Sequence, residues 1–164
     1  ELRITKSVDE IDRLRASARL ADAGFEYVTS IVRPGMREID VSNLLDAFMR
    51  THGASGPSFT TLLLRGARAA LPHGTASKAL LTAGQLVTLD FGYFLDGYTS
   101  DMTRTFALGT PDDKLVTAYQ AVQAAQQAVI DQVTWSMSCA SPRVLMRLTG
   151  YERVHVWRML VSNT

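Results

Sequence analysis

The pattern of apolar and polar residues is most regular in residues 86–106, where it predicts a β-hairpin. The first half of this stretch has the two-residue period of a strand with one buried face, and its apolar positions are Val87, Leu89, Phe91 and Tyr93. Asp96-Gly97 follows, and these residue types tolerate the positive φ of a two-residue turn. We therefore predict that the chain reverses at Asp96 and Gly97.

Three other stretches have the three-to-four residue period of amphipathic helices. The first begins at the capping box Ser7-Val8-Asp9-Glu10 and is ended by Arg33-Pro34-Gly35; its apolar stripe is Ile11, Leu14, Ala18, Ala21, Phe25, Val28 and Val32. The second starts near Glu38 to Asp40, fades by 51–53, and has Val41, Leu44, Leu45 and Phe48 on one side. The third runs from about Lys114 to Val133, capped by Thr110 or Asp112. A short strand is predicted over 59–64.

Two acids, Asp90 and Asp101, lie inside the apolar hairpin. If Leu95 faces Tyr98 across the turn, Asp90 pairs with Thr103, and the two carboxylates share one face roughly 7–8 Å apart at Cα. Like charges on a partly buried face are costly, and a divalent cation between them is the simplest remedy. The residues also allow a second interpretation, in which both acids lie on a solvated face with Arg104 as a countercharge.

A histidine held between proline and glycine is a further candidate. His73 lies in the predicted loop Leu71-Pro72-His73-Gly74, and such a residue fits a plain surface position as well as a catalytic one.

Composition limits the class of protein. The chain has 164 residues, 46% of them apolar, and a formal charge of +1, so we expect a globular core and neither nucleic acid nor membrane as a partner. Cys139 is the single cysteine, which excludes a disulfide framework. We expect a cytoplasmic location, and because the sequence opens on Glu1 we expect natural residues upstream of it.

An offset of about one hundred residues relates the first helix to the third. Aligning Met36 with Met137 matches 19–32 to 120–133, which indicates an internal duplication whose second strand region would fall beyond Thr164. We therefore expect residues 1–133 to form one half of a duplicated domain plus the first helix of the next, and 134–164 to be an atypical tail, truncated or read in a slipped frame.

The chain resembles the metallopeptidase family of Xaa-Pro dipeptidase (prolidase), aminopeptidase P and methionine aminopeptidase. The likeness runs from about Leu2 to Val133. It is carried by residues 2–7 with 10–15, by Leu71-Pro72-His73-Gly74, and by Leu89-Asp90-Phe91-Gly92 with Tyr98-Thr99-Ser100-Asp101-Met102-Thr103-Arg104-Thr105. The last motif looks more like the proline-specific branch than the methionine-specific one.

This resemblance implies an α/β (α+β) pita-bread fold (creatinase/aminopeptidase), with this chain as its first half and the start of the second. It also implies a centre of two divalent metal ions, Mn or Co with Zn as an alternative. Asp90 would bind one ion and Asp101 would bridge both, while His73 would contact a short peptide substrate and help to stabilise the tetrahedral intermediate.

The chain departs from the family pattern in its later residues. The family takes a further His and two Glu ligands from the second half, and His155 is the only later histidine, in surroundings that do not match. We expect the site to be incomplete and this chain to be inactive alone, because two carboxylates bind divalent metals weakly. We also expect a homodimer. A methionine aminopeptidase and a catalytically silent binding or dimerisation module remain alternatives.

Overall fold

The computed structural model describes residues 5–132, which divide into two compact units. One unit comprises Ser7–Pro111, and the other includes the third helix. The helices are α1 (Val8–Ile31), α2 (Glu38–Thr51) and α3 (Asp113–Gln132). The strands are β1 (Gly56–Pro57), β2 (Leu62–Arg65), β3 (Gln85–Phe91), β4 (Tyr93–Leu95), β5 (Tyr98–Thr99) and β6 (Met102–Leu108), and a 3₁₀ turn spans Gly66–Ala70.

Helix α1 begins at the predicted capping box. The Ser7 hydroxyl accepts from the Glu10 amide at 3.2 Å, and Glu10 Oε2 accepts from the Ser7 amide at 2.7 Å, so two amides at the helix start are satisfied. Glu10 Oε1 also accepts a hydrogen bond from the Tyr98 hydroxyl at 3.1 Å, which joins this helix end to β5. Ala21, Phe25, Val28 and Val32 of the predicted stripe are buried, whereas Ile11 is 37% exposed.

The buried side of α2 differs from the prediction. Val41 and Leu45 are buried as expected, but Met49 is the third buried apolar residue and Leu44 is 38% exposed. The reason is that Phe48 stacks on Tyr27 of α1, with ring centroids 4.4 Å apart, at the margin of the core. The helix is thereby rotated so that Met49 faces inwards and Leu44 faces outwards.

Two antiparallel three-stranded sheets complete this unit. One has the strand order β1-β4-β5 and the other β2-β3-β6. The core consists of apolar residues of α1 and α2 packed with apolar residues of the strands. Those of β3 and β4 are the ones that the alternating pattern predicts: Val87, Leu89, Phe91 and Tyr93. The strand predicted over 59–64 is shorter and later, because β2 starts at Leu62, and β1 was not predicted.

The hairpin has the predicted register, but it does not form one continuous ladder. Leu95 pairs with Tyr98 and Asp90 with Thr103, and the turn residues Asp96 and Gly97 have φ values of 49° and 80°. The prediction of an unbroken strand through Gly92 was wrong, because the chain divides there into β3 and β4.

Gly92, at this division, is closely packed. A methyl group added at Gly92 would overlap the Ser100 carbonyl oxygen and come within 2.5 Å of Ser58 Oγ. Two bonds join Tyr93 and Ser100 across the gap: the Ser100 amide donates to the Tyr93 carbonyl at 3.1 Å, and the Tyr93 amide donates to Ser100 Oγ at 3.2 Å.

Helix α3 begins as predicted after Asp112, whose Oδ1 accepts from the Leu115 amide at 2.8 Å. None of the helices within residues 5–132 is long and apolar enough to cross a membrane. The predicted second copy of α2, the tail 134–164, and His155 lie outside the described residues.

Candidate active site

One face of the β2-β3-β6 sheet carries the first predicted acid. Paired residues on neighbouring antiparallel strands point to the same face, and Leu62, Asp90 and Thr103 are paired in this way. Thr88 and Thr105 occupy the next position along, and their hydroxyls are hydrogen-bonded at 2.9 Å. We call Leu62, Leu64, Thr88, Asp90, Thr103 and Thr105 the acid face; it is opposite the core.

Asp90 is half-buried on the acid face, with one short hydrogen bond. The Thr103 hydroxyl donates to Asp90 Oδ1 at 2.8 Å, which fixes the orientation of the carboxylate. Burial raises the pKa of Asp90 above its usual value, the bond from Thr103 lowers it, and the charge of Asp101 raises it. The net rise means that the surroundings of Asp90 disfavour its ionised form relative to the protonated form.

Asp101 follows the ladder break and is exposed. The continuing register places it opposite Gly92, although no ladder pair forms there. Since its charge contributes to the raised pKa of Asp90, the structure brings the two predicted acids within electrostatic reach of each other.

Arg104, the countercharge in the solvated-face interpretation, belongs to the opposite side of β6. It pairs with the core residue Leu89, and only 8% of its side chain is exposed. Its guanidinium donates to the Thr103 carbonyl at 2.9 Å and lies 4.0 Å from Asp22 of α1. Asp90 lies on the opposite face of the sheet.

The His73 loop, residues 71–77, approaches the acid face through its glycine. A methyl group at Gly74 would lie 2.7 Å from Cδ1 of Leu64, whose partner in the ladder is Thr88. His73 itself is exposed. The loop therefore packs through Gly74 on the face that carries Asp90, and the exposed His73 is the residue immediately before Gly74.

Sequence reasoning missed two residues that support this site. Thr103 was identified only as the partner of Asp90, although its hydroxyl also holds the carboxylate. Glu38 was identified only as the approximate start of the second helix, yet it is fully buried. A helix-start glutamate is normally exposed, so the sequence gives no signal for this burial.

Within residues 5–132, no group of three or more His, Cys, Asp or Glu side chains is arranged to hold a metal ion. Asp90 and Asp101 thus provide two carboxylates, which is fewer than a closed metal site requires.

Comparison with known proteins assigns the chain to a family. The model of metallopeptidase family M24 matches residues 12–147. The chain belongs to metallopeptidase family M24. Among curated M24 relatives, peptidase YqhT of Bacillus subtilis is 42% identical over 147 residues, which are 90% of this chain and 42% of the relative. The Xaa-Pro dipeptidase of Pyrococcus furiosus is 34% identical over 131 residues, which are 80% of this chain and 38% of that one.

Solved structures confirm the predicted fold of this M24 chain. An Xaa-Pro dipeptidase from Bacillus anthracis matches with a TM-score of 0.75 and 48% identity, over 78% of this chain and 36% of that one. Prolidase from Pyrococcus furiosus matches with a TM-score of 0.74 and 35% identity, over 78% and 38%. The chain has the pita-bread fold of these proteins, over the portion that it spans, which is about 40% of the curated relatives' length.

Proposed function

We propose that this M24 chain carries part of a metal-dependent peptidase site that acts on Xaa-Pro dipeptides or N-terminal Xaa-Pro bonds. In this proposal Asp90 and Asp101 are metal ligands and His73 contacts the substrate. The observation that carries it is the half-buried Asp90, whose pKa is raised first by burial and then, to a smaller extent, by the charge of Asp101. A structure keeps two like charges together at a cost, and a bound cation removes that cost.

The residues present fit a divalent metal as part of a ligand set. Asp90 and Asp101 offer hard oxygen donors, which suit Mn, Co or Zn. When bound, a pair of such ions polarises the substrate carbonyl and makes water a better nucleophile. Thr103 contributes by holding Asp90 Oδ1, and the His73 loop contributes an exposed imidazole beside the acid face.

Proline specificity is supported by the relatives. Curated M24 relatives at 34% identity are named Xaa-Pro dipeptidase, as is a solved structure at 48% identity. The substrate in this proposal is therefore a short peptide with proline after the first residue.

We expect this chain by itself to be inactive, because two carboxylates do not hold a metal pair in place. The first test incubates the purified chain with an Xaa-Pro dipeptide and added Mn²⁺ and measures release of proline. No turnover is expected, and robust turnover would refute the proposed inactivity.

The second test asks whether the acids bind metal. Calorimetric titration with Mn²⁺ should give weak, specific heat with a Kd of about 10⁻⁴–10⁻³ M. Asp90→Asn should abolish this heat, whereas Asp96→Asn, a change at the hairpin turn, should leave it intact. Equal titrations for both variants would overturn the ligand assignment, and absence of specific heat in the unchanged chain would favour the catalytically silent module.

We also propose that the chain forms a homodimer. Several large apolar side chains of the Ser7–Pro111 unit are exposed: Leu44 at 38%, Phe94 at 40%, Leu71 at 48% and Leu80 at 50%. Exposed apolar surface favours association with a second copy. Sedimentation should give a dimer, and a monodisperse monomer would contradict the proposal.

A further inference from the structure

A buried carboxylate lies at the first position of α2. Glu38 is completely inaccessible to solvent. Its Oε1 accepts from the Arg65 amide at 3.1 Å, and its Oε2 accepts from the Ser77 amide at 3.0 Å and the Ser77 hydroxyl at 2.7 Å. Burying an ionised carboxylate is costly unless such bonds and a nearby cation offset the loss of water.

The cation is Arg68, which belongs to the 3₁₀ turn that leads into the His73 loop. Its Nε lies 3.3 Å from Glu38 Oε2, and its Nη2 donates to the carbonyl of Thr75 at 2.8 Å. One guanidinium therefore connects the buried acid to the far side of the loop.

These contacts hold both ends of the His73 loop. Arg65 lies before the loop and Ser77 at its end, and Glu38 binds both. The backbone reinforces the second attachment, because the Glu38 amide donates to the Ala79 carbonyl at 3.0 Å and the Ile39 amide to the Ser77 carbonyl at 2.9 Å.

Inside the loop, few contacts fix the residues around His73. The Leu71 amide donates to the Arg68 carbonyl at 3.0 Å, the Gly74 amide donates to Leu71 at 3.4 Å, and Gly74 packs on Leu64. The conformation at His73 therefore depends on how firmly the loop ends are held, and Glu38 accepts hydrogen bonds at both ends.

We propose that Glu38, acting with Arg68, is a positioning residue that sets the His73 loop against the acid face. That the loop then serves a substrate rests on the proposed function; the clamp itself does not. Because Arg68 and Ser77 supply most of the partners of the buried Glu38 carboxylate, its charge favours the ordered loop over any conformation in which these two residues move away.

The test compares three variants of the chain: Glu38→Gln, Arg68→Ala, and Arg13→Ala as a matched control. Arg13 forms an exposed ion pair with Asp9 at 3.0 Å within α1, away from the loop. Amide hydrogen exchange is measured for residues 71–77 and for β3 and β6, together with the NMR signals of the His73 ring. Loss of the Glu38 charge or of its ion pair with Arg68 should accelerate loop exchange by about tenfold or more.

The expected result is faster exchange and shifted His73 signals in Glu38→Gln and Arg68→Ala, with exchange in β3 and β6 unchanged and no effect of Arg13→Ala. Should Glu38→Gln fail to fold, Arg68→Ala decides, because that side chain is 38% exposed. Unchanged loop exchange in Arg68→Ala would overturn the proposal, and so would acceleration spread equally over loop and strands. Failure of the proposed function would appear separately, as loss of the difference between Asp90→Asn and Asp96→Asn in the Mn²⁺ titration.

Discussion

Replacing Gly92 by alanine should strongly destabilise the chain, because the packing around Gly92 leaves no room for a methyl group. The added methyl would overlap the Ser100 carbonyl oxygen and lie 2.5 Å from Ser58 Oγ and 2.8 Å from Phe59 Cε1. A backbone carbonyl cannot rotate out of the way as a side chain does, so the strands must separate. Overpacking typically costs 1–3 kcal/mol, and we expect about 3 kcal/mol here.

The matched control is Gly56→Ala, in the sheet that also contains β4. A methyl at Gly56 would meet only the guanidinium nitrogens of Arg50, at 3.7 and 3.8 Å, which is ordinary contact. We expect its free energy of unfolding to stay within about 0.5 kcal/mol of the unchanged chain.

Urea unfolding followed by far-ultraviolet circular dichroism measures both variants. If the two alanine variants unfold with the same free energy, the expected overpacking cost at Gly92 is refuted. Separating Ser100 from Gly92 would also displace the adjacent Asp101, so Gly92→Ala should weaken the Mn²⁺ heat while Gly56→Ala preserves it.

Three further changes test other parts of the structure. Burial raises the pKa of Tyr93 from 10 to about 12, so its contribution to the free energy of unfolding is fully present below pH 10 and is lost as the pH rises through 12. In a pH series of urea unfolding, the unchanged chain should lose at most about 3 kcal/mol over this range, and Tyr93→Phe should not show this loss. Ser7→Ala removes the acceptor for the Glu10 amide and should cost about 1 kcal/mol in urea unfolding, with an unchanged value arguing against the cap. Phe106→Ala deletes a ring that is 2% exposed and packs edge-on against Phe25 at 6.0 Å, and should cost about 3–5 kcal/mol by the same measurement; a loss below 1 kcal/mol would contradict its burial.

The local features of the Ser7–Pro111 unit were predictable from the sequence. The turn Asp96-Gly97 fixes the hairpin register, so the pairing of Asp90 with Thr103 followed from the turn alone. The capping box at Ser7 was predictable for the same reason, since every group it needs lies within four residues.

Features that depend on distant residues were not predictable. Ser58 and Phe59, more than thirty positions earlier, leave no room for a side chain at Gly92, where the ladder breaks. The burial of Glu38 depends on the later Arg68 and Ser77, and no local pattern distinguishes it from an exposed first-turn acid. Tertiary packing decides both outcomes, and the same holds for the rotation of α2.

The shared carboxylate of Glu10 has a consequence for cooperativity. One oxygen closes the first turn of α1 and the other holds the Tyr98 phenol near the hairpin tip. Fraying of either element therefore removes a restraint from the other, although they are nearly ninety positions apart in the chain. We expect the two to open together, so that protease cleavage at the hairpin tip and at the helix start would accelerate in parallel when Glu10 is changed to alanine.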